Sequence, residues 1–430
     1  MKINALLHLK TTKVFLTLLL LFVFFSRTVA HENRILFNRL GVNQGLSSNE
    51  INSIIKDSRG FMWFGTPEGL NCYDGYEFTC YKPERADYFY SEAYIIHMVE
   101  TQDDKLWLTY QDGSIRIFDL RENKFYPIQE IGRSLHLPST ISHVFQEPEG
   151  NLLFATTDHR LCKYDYTTAS IIDYPTDLIA GKVSDVVCKE DYLYVIYYTG
   201  IVEILDLNRR ESIKNSRYLQ SRTQYRRYRL FVDTDREVWI YSDPHSGLFH
   251  FSPLTDRWEH FSESSVLPLS SSIIRKVEEG EEGVIWVATD HGGINLIDKK
   301  KRQIRYLKNN HFDMHSISQN SVIALYKDDT GVLWAGTYKN GVTIIMRVFL
   351  SSGHFAIPYP MNWRPGLMTA IVYMKIAGEI YISEQTAMDC FATTGLPAPI
   401  KNMSMTLQIP IVSVAMQSSL WPQINGGISG

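Results

Sequence analysis

The chain has 430 residues, 44% of them hydrophobic, and a formal charge of −4 from 43 basic and 47 acidic residues spread along its length. That is enough apolar material for two or three ordinary domains or one large all-β body. It offers neither an extended positive field for nucleic acid nor a polybasic patch for a membrane surface. Cysteines stand at 72, 80, 162, 188 and 390, five in all, too few for a disulfide scaffold, and are expected to be free, mostly buried thiols. No C-x-x-C or H-E-x-x-H spacing calls for a metal, and no other cofactor is implied.

In chain order, residues 1–30 come first: Lys2, Lys10 and Lys13, the apolar run "VFLTLLLLFVFF", then "SRTVA". This is the pattern of a secretory signal peptide cleaved after Ala30, with an uncleaved anchor as the alternative. The apolar core from Val14 to Phe25 covers about half of the ~20 residues that span a bilayer.

The stretch "FMWFGTPEGLNCYD" (Phe61 to Asp74) then opens a series. Aligned on Trp63, further copies centre on Trp107, Leu153, Tyr194, Trp239, Trp286 and Trp334, at intervals of 41 to 48 residues. Such a period is the mark of a repeat architecture. The first block reads as four short strands: "INSIIKD", a turn at Ser58 to Gly60, "MWFGT", "LNCYD", a turn near Asp74-Gly75, and "YEFTCYK". A two-residue hairpin there would pair residue 72 with 77. Helical periodicity is nowhere sustained. Four strands per repeat is the arithmetic of a propeller blade, so the expected fold is all-β, a seven-bladed β-propeller over residues 31–345 with an irregular C-terminal tail. "RILFNRL" (Arg34 to Leu40) is expected to complete the last blade as its outer strand.

The repeated residues read as framework. A blade stacked on both sides needs a large aromatic to fill the gap between sheets, and Trp63, Trp107, Trp239, Trp286 and Trp334 suit that duty. Gly65-Thr66 and Gly336-Thr337 suit a strand end near the axis, where a Cβ obstructs.

"GLSSNEINSIIKDSRGFMWFGTPEGLNCYDGYEF" (Gly45 to Phe78) and "SISQNSVIALYKDDTGVLWAGTYKNGV" (Ser316 to Val342) resemble the two-component regulator propeller repeats; the third and fourth copies are degenerate. The resemblance covers residues 34 to 345. It implies the periplasmic sensor region of a Bacteroides-type hybrid two-component histidine kinase, with oligosaccharides released from polysaccharides as ligands and a homodimer formed through downstream parts. No phospho-acceptor box, ATP lid or second hydrophobic span is seen in this chain, which is therefore read as a non-enzymatic, exported piece that meets a membrane through its signal peptide or a missing span.

On a propeller, the loops between second and third strands emerge on one face with the connections between blades. Here they carry Glu68, Tyr110, Gln111, His159, Arg160, His245, His291, Tyr338, Lys339 and Asn340. Aromatic, amide and charged groups on one face suit an oligosaccharide or other small glycan, because rings stack on the apolar sugar face while amides and arginine meet hydroxyls and carboxylates. Histidines in the same loop of three blades also admit a propeller lyase or hydrolase, although such enzymes need clustered catalytic groups. A protein-docking platform is the other alternative.

After Ile345 the repeat stops, and between Arg347 and Gly430 charged residues become sparse. Reading Val372 to Phe391 two bases later permits a further copy of the repeat. Residues 346–430 are thus expected to be an out-of-frame tail, poorly packed, standing where a second propeller begins in an intact gene.

Overall fold

The computed structural model describes residues 32–83, 94–138, 140–145, 147–176, 180–222, 226–242, 245–313, 316–351, 354–356, 373–376 and 379–382. Residues 1–31, which include the segment read from sequence as a signal peptide, and most of the tail fall outside these residues. Contacts divide the chain into two compact units, one of Asn33–Phe349 with Ile357–Arg364 and one of Met1–Glu32, Leu350–Ala356 and Pro365–Gly430. In the second, β30 (Tyr373–Ile376) pairs antiparallel with β31 (Glu379–Ile382), and β29 (His354–Ala356) pairs with β31. No helix among the described residues is long and apolar enough to cross a membrane.

The first unit is a seven-bladed propeller. After β1 (Glu32–Leu40), blade 1 is β2 to β5 (Ser53–Lys56, Met62–Thr66, Gly69–Tyr73, Phe78–Tyr81) and blade 2 is β6 to β9 (Ile95–Thr101, Lys105–Tyr110, Ile115–Asp119, Lys124–Pro127). Blade 3 is β10 to β13 (Ile141–Phe145, Leu152–Thr156, Leu161–Asp165, Ser170–Tyr174) and blade 4 is β14 to β17 (Val183–Lys189, Tyr192–Tyr197, Val202–Asp206, Glu211–Ser216). Blade 5 is β18 to β21 (Tyr228–Val232, Val238–Ser242, Leu248–Ser252, Arg257–Phe261) and blade 6 is β22 to β25 (Ile274–Glu279, Val284–Thr289, Gly293–Asp298, Gln303–Leu307). Blade 7 is β26 to β28 (Val322–Lys327, Leu333–Thr337, Val342–Ser351), and β1 pairs with β28. The N-terminal strand therefore supplies the outer strand of the last blade, so both ends of the propeller are held in one sheet.

Second strands such as "MWFGT" are buried along their whole length, because neighbouring blades cover both faces. The tryptophans sit where the repeat placed them. Trp63 packs on Ile95, Met98 and Leu106 of blade 2, and Trp107 on Val144 and Phe154 of blade 3. Leu153 and Tyr194 take the same place toward blades 4 and 5. Trp239 meets Ile274 and Val277, Trp286 meets Val322 and Leu325, and Trp334 closes the ring on Ile51 and Phe64 of blade 1. Burying a ring of 150–250 Å² contributes roughly 4–6 kcal/mol at ~25 cal/mol per Å².

Close packing at the axis explains the Gly-Thr pairs. A Cβ on Gly65 would lie 2.7 Å from the Ile95 carbonyl, and one on Gly336 would lie 2.6 Å from Ile51. Ahead of blades 1, 6 and 7, the connection is pinned by a serine reaching the third strand: Asn71 with Ser47, Asn295 with Ser270 and Thr343 with Ser318, at 2.8 to 3.1 Å.

Two expectations, both about cysteines, are corrected. Cys72 faces Thr79, not residue 77, because the hairpin loop has four residues; Oδ1 of Asp74 accepts the N–H groups of Tyr76 and Glu77 and widens it. Cys80, opposite Asn71, therefore projects from the other face of the sheet. Cys72, Cys80, Cys162 and Cys188 are free, but among them Cys162 alone is buried and Cys80 is exposed on an outer strand. One short helix, α1 (Ile128–Ser134), leads out of blade 2, with Ile128, Ile131 and Leu135 at helical spacing against the blade 2–3 interface.

Candidate functional site

Four antiparallel strands per blade bring the loop after each second strand beside the connection that enters the blade. Backbone bonds fasten the two: Gln111 N–H to the Tyr94 carbonyl, Thr157 to Thr140, Tyr198 to Lys182, Asp290 to Ile273 and Tyr338 to Ser321, all at 2.8 to 3.1 Å. The face is thus a set of braced loops on a rigid ring.

The sequence-derived residues differ in what they offer. Glu68 pairs with Lys82 at 3.1 Å on an exposed strand end. Tyr110 is buried as the last residue of β7, with the Arg116 guanidinium 5.9 Å from its ring centre, while Gln111 beside it is exposed. Arg160 is braced by Asp158 at 3.3 Å and Asp173 at 3.4 Å. His291 lies 3.0 Å from Asp290, which also pairs with Arg275 at 2.9 Å. These interactions lower the Asp290 pKa against the opposing effect of burial.

His159, His245 and His291 share a backbone state, with φ of 72°, 54° and 66°. Gly113 and Gly200 hold the turn position of His159 and His245 in blades 2 and 4, with φ of 85° and 83°, while His291 stands one residue earlier in its loop. The recurrence of histidine in these loops follows from left-handed turn geometry, which polar planar side chains tolerate better than most. His245 and His291 are exposed.

Tyr338, Lys339 and Asn340 form the tip of blade 7. Tyr338 is exposed with the Lys339 ammonium 5.3 Å from its ring centre, and the Asn340 side-chain amide donates to the Ser318 carbonyl at 2.8 Å. Asn340 also lines a cleft of about 310 Å³ at the seam between blades 7 and 1, with Arg39, Gly41, Asn43, Gln44 and Asn49 among its walls. Asn49 and Gln44 turn side-chain oxygens to the backbone N–H groups of Val42 and Gly41, and Arg39 donates to the Ser316 carbonyl. The sequence reading took Asn340 alone from this cleft; the run "RLGVNQGLSSN" carried the signal, three amides and an arginine just ahead of the first repeat. Phe312, fully exposed on the connection between blades 6 and 7, was also missed.

A second set of residues was missed on the innermost strands. The residue opposite the position two after each tryptophan, or its substitute, is Ser53, His97, His143, Asp185, Arg229, Lys276 and Ala324 in blades 1 to 7. In the sequence they recur ten residues before each repeat centre, Leu153 included, and nine before Tyr194 in blade 4. Burial first, and then the charges of Arg229, Lys276 and Arg227, push the His97 pKa down to about 3. Those cations belong to blades 5 and 6 while His97 belongs to blade 2, so they act across the axis. Burial and the charges of Lys182, Arg227 and Arg229 push His143 down to about 4.

Comparison with known proteins accords with this geometry. Residues 45–68 and 316–339 match the family model described as two component regulator propeller, so the chain carries repeats of that kind. Among solved structures, the chain is similar to the extracellular domain described as that of the hybrid two component system BT3049 from B. thetaiotaomicron, with TM-score 0.54, 23% identity, 73% of this chain and 42% of that one. It is similar to the corresponding domain of BT4673 from the same organism, with TM-score 0.54, 16% identity, 75% of this chain and 44% of that one. Virginiamycin B lyase from Staphylococcus aureus matches with TM-score 0.50, 13% identity, 73% of this chain and 99% of that one. At these identities the likenesses show the propeller fold. The chain spans about two fifths of the length of the two B. thetaiotaomicron domains. A comparison with curated proteins finds no match.

Proposed function

We propose that the chain is the ligand-binding propeller of an exported sensor in a hybrid two-component system, and that its ligand is an oligosaccharide from polysaccharide breakdown. The observation that carries this reading is the coincidence of two-component regulator propeller repeats with a fold similar to extracellular domains described as parts of such systems. The loop face adds chemical support. Amides and an arginine line the seam cleft, and Phe312 and Tyr338 offer exposed rings on the loops of the same face, the combination that suits sugar hydroxyls and apolar sugar faces.

In this reading the protein acts in the periplasm and binds without catalysing. Signalling requires that the ligand favour one of two arrangements of the sensor, and transfer of that preference across a membrane belongs to a longer protein. The loop histidines His159, His245 and His291 occupy turns of separate blades, a weak basis for the lyase alternative, which needs an acid and a base close together. Thermal-shift and calorimetric screening of the full chain against an oligosaccharide library tests the proposal. At least one glycan should raise the unfolding midpoint in proportion to its affinity, and Asn340→Ala with Tyr338→Ala should weaken it. No shift with any glycan overturns the reading.

A further inference from the structure

The inner-strand ring has an unbalanced charge. Its two ring cations are Arg229 of blade 5 and Lys276 of blade 6, both of which act on His97, while Arg229 also acts on His143. Against them the ring itself sets one carboxylate, Asp185, whose Oδ2 accepts the Leu230 N–H at 2.9 Å and whose Oδ1 accepts the Val186 N–H at 3.0 Å. Glu278, two residues further along β22, lies 3.7 Å from Lys276, and burial raises its pKa, which favours the neutral acid. Arg275 is matched by Asp290 at 2.9 Å. The Arg229 side chain makes no hydrogen bond or ion pair among the described residues, although it is half-buried.

Like charges gathered along a narrow axis raise one another's energy, and the half-buried guanidinium there has lost part of its hydration. An arginine fork fits the paired oxygens of carboxylate, sulfate or phosphate. We propose that the axial channel is an oxyanion site, in which Arg229 and Lys276 hold one sulfate, phosphate or carboxylate group and His97 and His143 contribute ring N–H donors. Within the ligand class proposed above, the site selects acidic glycans, those bearing carboxylate or sulfate. This extension rests on that reading, whereas the anion site does not.

The test uses the full chain at low ionic strength, with inorganic sulfate as probe, sodium chloride as the ionic-strength control and glucuronate as the organic arm. Sulfate should bind with measurable heat, and Arg229→Gln or Lys276→Gln should weaken it at least tenfold, while Lys300→Gln with Lys301→Gln, on an exposed turn, should leave it unchanged. In the unsubstituted chain, sulfate should also raise the His97 and His143 titration midpoints followed by NMR, since an anion favours imidazolium despite Arg227, Arg229, Lys182 and Lys276 nearby. Absence of sulfate-specific binding, unchanged affinity in Arg229→Gln, or unmoved histidine titrations would overturn the site. Sulfate binding with no response to any acidic glycan would leave the site standing and remove the extension to the sensor ligand.

Discussion

The indole Nε1 of Trp334 donates to Oδ2 of Asp328 at 2.9 Å, and Trp63 with Asp57 and Trp239 with Asp233 repeat the bond at the same distance. The other carboxylate oxygen accepts backbone N–H groups of the intervening turn, from Thr330 and Val332 in blade 7 and from Arg59 and Phe61 in blade 1. One side chain thus shapes the turn between first and second strands and satisfies the buried donor that the inter-blade aromatic brings with it. Trp107 and Trp286 follow Thr101 and Gly280 at the same spacing, and a Cβ at Gly280 would lie 2.1 Å from the Trp286 nitrogen.

Asp328→Ala should destabilise the chain by about 1–3 kcal/mol, since it orphans an indole N–H and the turn amides together. Thermal or denaturant unfolding measures this. A loss within the ~0.5 kcal/mol range of ordinary surface substitutions would remove the bond from any account of stability.

Removing residues 32–40 should open the ring, because β1 is what pairs with β28 and Ile35 and Phe37 pack on the cluster around Trp286. The exposed edge of β28 would then be free to pair with other chains. We expect a lower, less cooperative unfolding transition and concentration-dependent association by light scattering. A truncated chain that melts and sediments like the intact one would show that closure lies elsewhere.

His291→Val should cost about 1–2 kcal/mol, because a β-branched residue is strained at the φ of 66° found there, whereas His291→Gly should be close to neutral. Comparing the two unfolding midpoints separates backbone strain from a role for imidazole. If glycine costs as much as valine, the side chain matters more than the turn.

Stability should fall on acidification below ~6.5, the ordinary histidine value. Unfolded chains then take up protons that folded His97 and His143 refuse until about 3 and about 4, so the unfolded state binds more protons and the loss grows until those values are reached. His143→Gln should flatten the dependence between pH 6.5 and 4. Unfolding midpoints across that range, with Lys182, Arg227 and Arg229 left in place, provide the check. An unaltered slope in the variant would mean that other groups carry the acid sensitivity.

Of the candidate site, the part legible in sequence was position along the repeat. Tyr338, Lys339 and Asn340 were found because they fall in the loop after a second strand, and Asn340 does line the seam cleft. The other wall residues, Arg39 and Asn43 among them, escaped because they precede the first repeat and reach blade 7 only when the chain closes on itself. Tyr110, one residue before the exposed Gln111, is buried, since it ends a strand instead of opening a loop.

The sequence alone determined the blade count, the four-strand pattern and the framework duty of the tryptophans, because each rests on a period that local residues repeat in phase. Ring closure by β1 was inferred from sequence, but its pairing with β28 is a contact between opposite ends of the propeller. Tertiary structure alone decided the meeting of His97 with Arg229 and Lys276. Each of these residues occupies an unremarkable polar position in its own strand, and charge becomes concentrated only when inner strands of distant blades share one axis.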